Sequence, residues 1–163
     1  MADRGRLPRE GRIDAMPIPI HWRDDPMRAS IEDQKIVVLP ILGDARGSLC
    51  VIEGERDTPF PIARVYYIFG TEAGVARGFH AHRTLRQVAV CVRGSCSMML
   101  DDGRVQRTIA MDRPDLTVEI GPMIWHEMSD FSDDAVLMVL ADQPYEETDY
   151  IRDRARFVEA ATA

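Results

Sequence analysis

Short β-rich runs separated by turn residues begin at Lys35 and continue almost to the end of the chain. Turn signals recur about every 8–12 residues, which is the spacing typical of all-β sandwiches and barrels. Asp102 and Gly103 form a two-residue hairpin signal, and the run Gln87–Arg93 alternates valines with other residues, as a strand does. No glycine-rich nucleotide loop interrupts the pattern. The sequence therefore predicts an all-β fold, best fitted by a double-stranded β-helix, or jelly roll.

The two ends of the chain depart from this pattern. Residues 1–32 contain four prolines and no sustained period, and we predict a flexible N-terminal arm followed by one domain at 33–163. Near the other end, Asp149–Ala161 is predicted to be a short C-terminal helix, with Asp149 as its N-cap. The apolar stripe of this helix is expected to be Ile151, Ala155 and Val158.

Composition excludes several classes of protein. The net charge of −7 argues against nucleic acid or an anionic membrane as the main partner. No stretch approaches the roughly 18 apolar residues of a membrane helix, and the N-terminus lacks the apolar core of a secretory signal. Three cysteines without a CxxC pair make a disulfide framework or a zinc–thiolate site improbable. We expect a cytoplasmic protein.

Two histidines are placed for chemistry. In a strand, residues i and i+2 share a face, so His80 and His82 project together. Adjacent imidazoles can bind a metal or move protons, and the alternative is a hydrogen-bonded pair in the core. His126 is a third histidine in a later β-rich segment.

The spacing around these histidines resembles the two cupin motifs. Gln87 stands where cupins often carry a glutamate, and a neutral amide is a weak metal ligand. Metal-free acid–base chemistry without a cofactor is therefore expected, and a metal-dependent cupin using His80, His82, Gln87 and His126 is the alternative. The other positions that match are Gly74, Gly94, Gly121 and Pro122.

Longer segments resemble the sugar nucleotide 3,4-ketoisomerases, the WxcM-like cupins of deoxysugar biosynthesis. The resemblance implies an isomerase that converts a dTDP-4-oxo-6-deoxyhexose into its 3-oxo isomer, without a required metal. It also implies a homodimer with exchanged N-terminal strands. A non-catalytic nucleotide-sugar-binding module is a further alternative. The segments are DARGSL (44–49), RVYYIFGT (64–71), RGFHAHRTLRQV (77–88), GSCSMMLDDG (94–103), GPMIWHEMSDFSDDAVLMVLA (121–141) and YEETDYIRD (145–153).

By this resemblance, His80 is the expected carbon base and His82 the group that shuttles a proton or polarises an oxygen. Tyr66 is the expected catalytic phenol, because it shares a strand face with Arg64. Tyr67 lies on the opposite face and is expected in the core, although a bulge would exchange the two tyrosines.

The remaining expected site residues would bind the substrate. Arg46, Arg64 and Arg77 lie in matched segments and could bind the diphosphate, which an acidic protein must meet with locally concentrated positive charge. Trp125 could flank the sugar or the base, or could be a core residue. The pair Arg46 and His126 resembles members of the family that form the galacto-configured 3-oxo product.

Overall fold

The protein is described by a computed structural model covering residues 30–163. The elements are β1 Ile36–Val38, β2 Leu42–Asp44, β3 Gly47–Leu49, β4 Arg64–Phe69, β5 Arg77–His82, β6 Gln87–Arg93, β7 Cys96–Asp101, β8 Gln106–Met111, β9 Leu116–Ile120, β10 Trp125–Ser129, β11 Val136–Ala141, β12 Tyr150–Ile151 and α1 Arg154–Thr162. Two five-stranded antiparallel sheets face each other, with strand orders β1-β9-β6-β11-β4 and β12-β5-β10-β7-β8, and β2 and β3 form a separate hairpin. The predicted all-β jelly roll with a short C-terminal helix is confirmed.

The core lies between the two sheets. Alternate residues of β7 point into it, so Cys96, Met98 and Leu100 are buried. β6 is buried on both faces over its first five residues, because Phe60, from the segment before β4, packs on Val88 at the outer face. Buried and exposed residues therefore do not alternate over these five positions of β6, because both faces of the strand are covered.

The last residues of the predicted N-terminal arm pack against the barrel. Ser30 caps a short 3-10 helix at Ile31–Asp33, and Ile31 is buried in the core. The backbone N–H of Ile31 donates to Asp102 Oδ2 at 3.0 Å. Most of the predicted arm, residues 1–29, lies outside the described residues.

The C-terminal helix begins later than predicted. The expected start at Asp149 was wrong, because α1 begins at Arg154 and its N-cap is Asp153, whose carboxylate accepts from the Arg156 N–H. Asp149 instead ends a 3-10 helix, and the chain then runs as a strand before α1 begins. Within residues 30–163, no helix is long and apolar enough to cross a membrane.

The buried stripe of α1 also differs from the expected one. Phe157 and Ala161 are the buried residues of the helix, whereas Ala155 is exposed and Val158 is half-buried. Ile151 is buried, but as a strand residue. The N-cap lies four positions later than predicted, so Ile151 falls outside the helix, and the buried face contains Phe157 and Ala161, which are about one turn apart.

Candidate active site

Three neighbouring strands bring a set of aromatic rings together. β5 lies between β12 and β10 in its sheet. His80 on β5 is directly opposite His126 on β10, and His82 on β5 is directly opposite Tyr150 on β12. Opposed residues of paired strands share a face, so the sheet gathers these four side chains, here called the ring cluster.

A β-bulge at Phe79 sets the register of the cluster. Gly78 pairs with Glu127 and His80 pairs with His126, so Phe79 is an extra residue between them. Gly78 has a φ of 92°, and a Cβ there would lie 2.6 Å from the carbonyl oxygen of His126. Only glycine fits this approach of β5 to β10.

The rings of the cluster are in mutual contact. The ring centroids of His80 and His126 are 4.4 Å apart, those of His80 and His82 are 4.9 Å apart, and those of His82 and Tyr150 are 4.3 Å apart. One ring nitrogen from each histidine lies within 4.8 Å of the others. A small substrate group that reaches one imidazole will therefore lie close to all three.

Hydrogen bonds at Nδ1 assign the protonation of these histidines. The Nδ1–H of His80 donates to the Gly78 carbonyl at 2.9 Å, and that of His126 faces the Ile124 carbonyl at 3.3 Å. The Nδ1 of His82 lies 3.0 Å from a carboxylate oxygen of Asp149. Carbonyl and carboxylate oxygens only accept, so each Nδ1 carries a proton and each Nε2 keeps its lone pair.

Burial keeps the three imidazoles neutral. It is the main cause of the lowered pKa of His80. Burial, helped by the repulsion that a protonated His80 would exert, lowers the pKa of His82 to about 4. Burial also lowers the pKa of His126 well below its usual value. A neutral imidazole with a free lone pair can accept a proton, so the cluster is a set of bases near pH 7.

Tyr66 faces the barrel interior, and Tyr67 does not. Arg64, Tyr66 and Ile68 are half-buried at alternate positions of β4, whereas Tyr67 is 63% exposed. The expectation that Tyr67 is a core residue was therefore wrong, because the outer face of this edge strand is uncovered. Gln87 Nε2 donates to the Tyr66 hydroxyl oxygen at 2.7 Å. Burial raises the pKa of Tyr66 to about 12, so the phenol keeps its proton.

Two of the predicted arginines lie on the same side of the sheets as the ring cluster. Arg64 lines a small recess together with His82 and Tyr150, and its Nε is buried without a hydrogen-bond partner among residues 30–163. Arg77 is exposed at the start of β5, opposite Met128. Because of the bulge, Arg77 shares a face with His80 at a spacing of three residues rather than two.

Arg46 and Trp125 are not brought to the ring cluster. Arg46 lies between β2 and β3, its side chain is 90% exposed, and it forms an ion pair with Asp44. Trp125 precedes His126 on β10 and so faces the other side of the sheet. There it packs against Phe157 of α1 at 5.5 Å. Trp125 is therefore a packing residue of the core, which was the alternative to a contact with the sugar or the base.

The sequence reasoning missed Tyr150, which is a member of the ring cluster, and two residues beside the cluster. Asp149 and Tyr150 touch His82, and the guanidinium of Arg152 lies 4.3 Å from the ring centre of Tyr150. β12 has only two residues, which is too short for an alternating pattern, and the segment was assigned to a helix. The signal that could have found them is the polar and aromatic density of YEETDYIRD.

A jelly roll with buried, convergent histidines defines the cupin class of proteins. The family WxcM-like, C-terminal (FdtA) matches residues 32–162. The chain belongs to this family of sugar nucleotide 3,4-ketoisomerases, and it is an isomerase.

Individual relatives agree with this assignment. Over 125 residues the chain is 50% identical to TDP-4-oxo-6-deoxy-alpha-D-glucose-3,4-oxoisomerase of Aneurinibacillus thermoaerophilus, covering 77% of this chain and 90% of that protein. A crystal structure of a Helicobacter canadensis 3,4-ketoisomerase matches with TM-score 0.78 and 41% identity, over 80% of this chain and 98% of that one. QdtA, a sugar 3,4-ketoisomerase of Thermoanaerobacterium thermosaccharolyticum solved with TDP, matches with TM-score 0.79 and 37% identity, over 82% and 97%.

Proposed function

We propose that this enzyme converts dTDP-4-oxo-6-deoxy-D-glucose into a dTDP-3-oxo-6-deoxyhexose for deoxyamino-sugar biosynthesis. The observation that carries the proposal is the ring cluster, in which three neutral imidazoles contact one another. The chain is also 50% identical, over 125 residues, to an enzyme named for this reaction. The reaction moves protons and leaves the atoms of the sugar otherwise unchanged, and imidazoles suit such transfers.

The steps can be assigned to the cluster. His80 removes the proton from C3, which the neighbouring carbonyl makes acidic, and the electron pair forms a C3–C4 double bond, which gives an enediolate with its charge on O4. His82 then carries the O3 hydroxyl proton to O4. The C3 carbonyl forms, and C4 takes up the proton that His80 removed. Tyr66, which keeps its own proton, donates a hydrogen bond to the developing oxyanion.

The diphosphate would be bound by guanidinium groups near the cluster. Arg64 has a buried Nε that no residue of 30–163 hydrogen-bonds, in a recess that it shares with His82, and Arg77 extends from the first position of β5. Guanidinium forks bind phosphate oxygens in pairs. These groups would focus positive charge on one face of a protein whose net charge is −7.

The protein is proposed to act as a homodimer in which N-terminal strands are exchanged. The hairpin β2–β3 pairs with no other strand of residues 30–163, and its Leu42 and Leu49 are exposed. Large exposed apolar groups of this kind mark contact surfaces. In such a dimer, Arg46 of one protomer would serve the site of its partner, which reconciles its predicted role with its distance from the cluster within one chain.

The galacto-configured product is the favoured stereochemical outcome. His126 contacts His80 directly, with ring centroids 4.4 Å apart, so it can influence the face on which C4 is protonated. Together with Arg46, it forms the pair on which this proposal depends.

A metal-dependent reaction is the second candidate, because His80, His82 and His126 are metal ligands by type and their nitrogens converge. Zinc–nitrogen bonds of about 2.0–2.1 Å place ligand nitrogens roughly 3.3 Å apart, so the rings would have to move together. A metal held there would polarise a carbonyl oxygen. The fourth cupin position is filled by Gln87, whose amide bonds to Tyr66 instead.

The decisive experiment follows the conversion of dTDP-4-oxo-6-deoxyglucose by NMR in deuterium oxide, with chelator present. We expect a 3-oxo product with deuterium at C4, deuterium at C3 of recovered substrate, and a product configuration readable from the ring couplings. His80→Asn should reduce the rate at least about 100-fold, because the carbon base is removed.

Arg93→Gln supplies a matched control, since this arginine forms an ion pair with Asp134 away from the ring cluster. Binding of the nucleotide sugar by the wild-type enzyme without any deuterium exchange would contradict the proposed reaction. Activity that is lost with chelator and restored by a divalent metal would favour the second candidate.

A further inference from the structure

Asp149 is anchored by several hydrogen bonds just before β12. Its Oδ1 accepts from the Thr84 backbone N–H at 2.8 Å and from the Thr84 hydroxyl at 2.9 Å. Its Oδ2 accepts from the Leu85 N–H at 3.3 Å and faces the Nδ1 of His82 at 3.0 Å. The carboxylate is buried. It is therefore held firmly between the loop after β5 and the His82 ring.

This contact assigns one tautomer to His82. A carboxylate accepts hydrogen bonds, so the Nδ1 of His82 carries the proton and its Nε2 has a lone pair. The Nε2 is buried and has no hydrogen-bond partner within residues 30–163. A buried polar atom without a partner is costly, and in this site the substrate would supply the partner.

His82 differs from the other two histidines in the charge of the group that its Nδ1 faces. The Nδ1 atoms of His80 and His126 face neutral backbone carbonyls, whereas that of His82 faces a carboxylate. A carboxylate stabilises the imidazolium that forms when the ring takes up a proton, and a carbonyl does so much less. Of the three rings, His82 therefore has the strongest support from its Nδ1 partner for the positive charge that it carries while it shuttles a proton.

We propose that Asp149 is a positioning residue for the isomerisation: it holds His82 in the Nδ1–H tautomer and stabilises that ring when Nε2 accepts a proton from the substrate. The role rests on the proposed function of the ring cluster. Asp149 acts through His82 and need not touch the sugar.

The test is Asp149→Asn in the full-length enzyme. The amide oxygen can still accept from Thr84, but the amide N–H would face the Nδ1 of His82 and favour the opposite tautomer. We expect kcat to fall about 100-fold to 10,000-fold, as when the orienting carboxylate of other histidine bases is replaced, with KM within about threefold. Nitrogen-15 NMR of His82 should show the proton moving from Nδ1 to Nε2.

Asp142→Asn is the matched control, because this carboxylate is also shielded and also accepts from the protein, here from Arg86 at 2.7 Å, but it bonds to none of the three histidines of residues 30–163. Its kcat should stay within about threefold. If Asp149→Asn unfolds, Thr84→Val weakens the anchoring of Asp149 and leaves the carboxylate in place, and it should reduce kcat without changing the tautomer.

A wild-type kcat in folded Asp149→Asn, or an unchanged His82 tautomer, would overturn the proposal. An inactive wild-type enzyme would instead count against the proposed function, and the nitrogen-15 spectrum would still report on the Asp149–His82 pair. The two failures are therefore distinguishable.

Discussion

At the scale of single residues, the ring cluster makes the stability of the folded protein sensitive to acid. His82 and His126 are buried and His80 is half-buried, and the lowered pKa of each keeps it neutral in the folded protein, whereas in the unfolded chain each would titrate near its ordinary pKa of about 6.5. Protonating any one ring also places charge beside the other two. The same burial that supplies free bases for catalysis therefore opposes folding at low pH.

The sign of the effect follows from proton linkage. Below about pH 6.5 the unfolded chain binds more protons than the folded one, so the free energy of unfolding falls as pH falls. Each ring contributes up to about 1.4 kcal/mol per pH unit, down to its folded pKa, which is about 4 for His82.

Urea unfolding at about pH 7 and about pH 5 should show this loss, and His126→Gln should reduce it. At these pH values Asp149 does not contribute, because burial raises its pKa but the hydrogen bonds from Thr84 and Leu85 lower it below the ordinary value. Equal losses in wild type and His126→Gln would contradict the prediction.

At the scale of elements, the bulge in β5 is a place where substitution should be poorly tolerated. Gly78→Ala should destabilise the protein by about 2–4 kcal/mol, because alanine is strained at a positive φ and its Cβ would meet the His126 backbone at 2.6 Å. Activity should fall with it, since the Gly78 carbonyl orients His80.

Gly74→Ala is the control, as Gly74 also has a positive φ but nothing lies within 4 Å of a Cβ there. Its cost should stay at about 1–2 kcal/mol, since only the left-handed backbone is strained, with activity retained. Thermal unfolding and the NMR assay measure both variants, and equal costs at the two glycines would show that the close approach of β5 to β10 is unimportant.

Particular elements also show which features of the fold and of the site could be predicted from the sequence. The His-x-His pair and the alternation in β4 are local patterns, so the shared face of His80 and His82 and the inward position of Tyr66 were predictable. The bulge at Phe79 is not a local pattern, since it depends on how β10 pairs. Asp149 contacts His82 across 67 positions of sequence, and no local period reports such a contact.

At the scale of the whole molecule, the uncovered outer face of β4 carries Val65, Tyr67 and Phe69 in a row. If this face contributes to the proposed homodimer, Tyr67→Asp should weaken association, because burying an unpaired carboxylate in an apolar contact is costly. Sedimentation should then show monomer at concentrations where the wild type is dimeric.

Val105→Asp is the control, because Val105 is also exposed but lies in the turn between β7 and β8. It should leave the dimer intact. A Tyr67→Asp protein that sediments like the wild type would exclude this face from the contact, and a monomeric wild type would exclude the homodimer itself.

The order of residues in the ring cluster has a consequence for protein synthesis. β5 carries two of the histidines, but both neighbours that complete the cluster, β10 and β12, are made after it. A nascent chain that has not yet reached residue 149 lacks the carboxylate that bonds His82 and the ring that packs on it. Translation that stops before this point should therefore release no partially active enzyme.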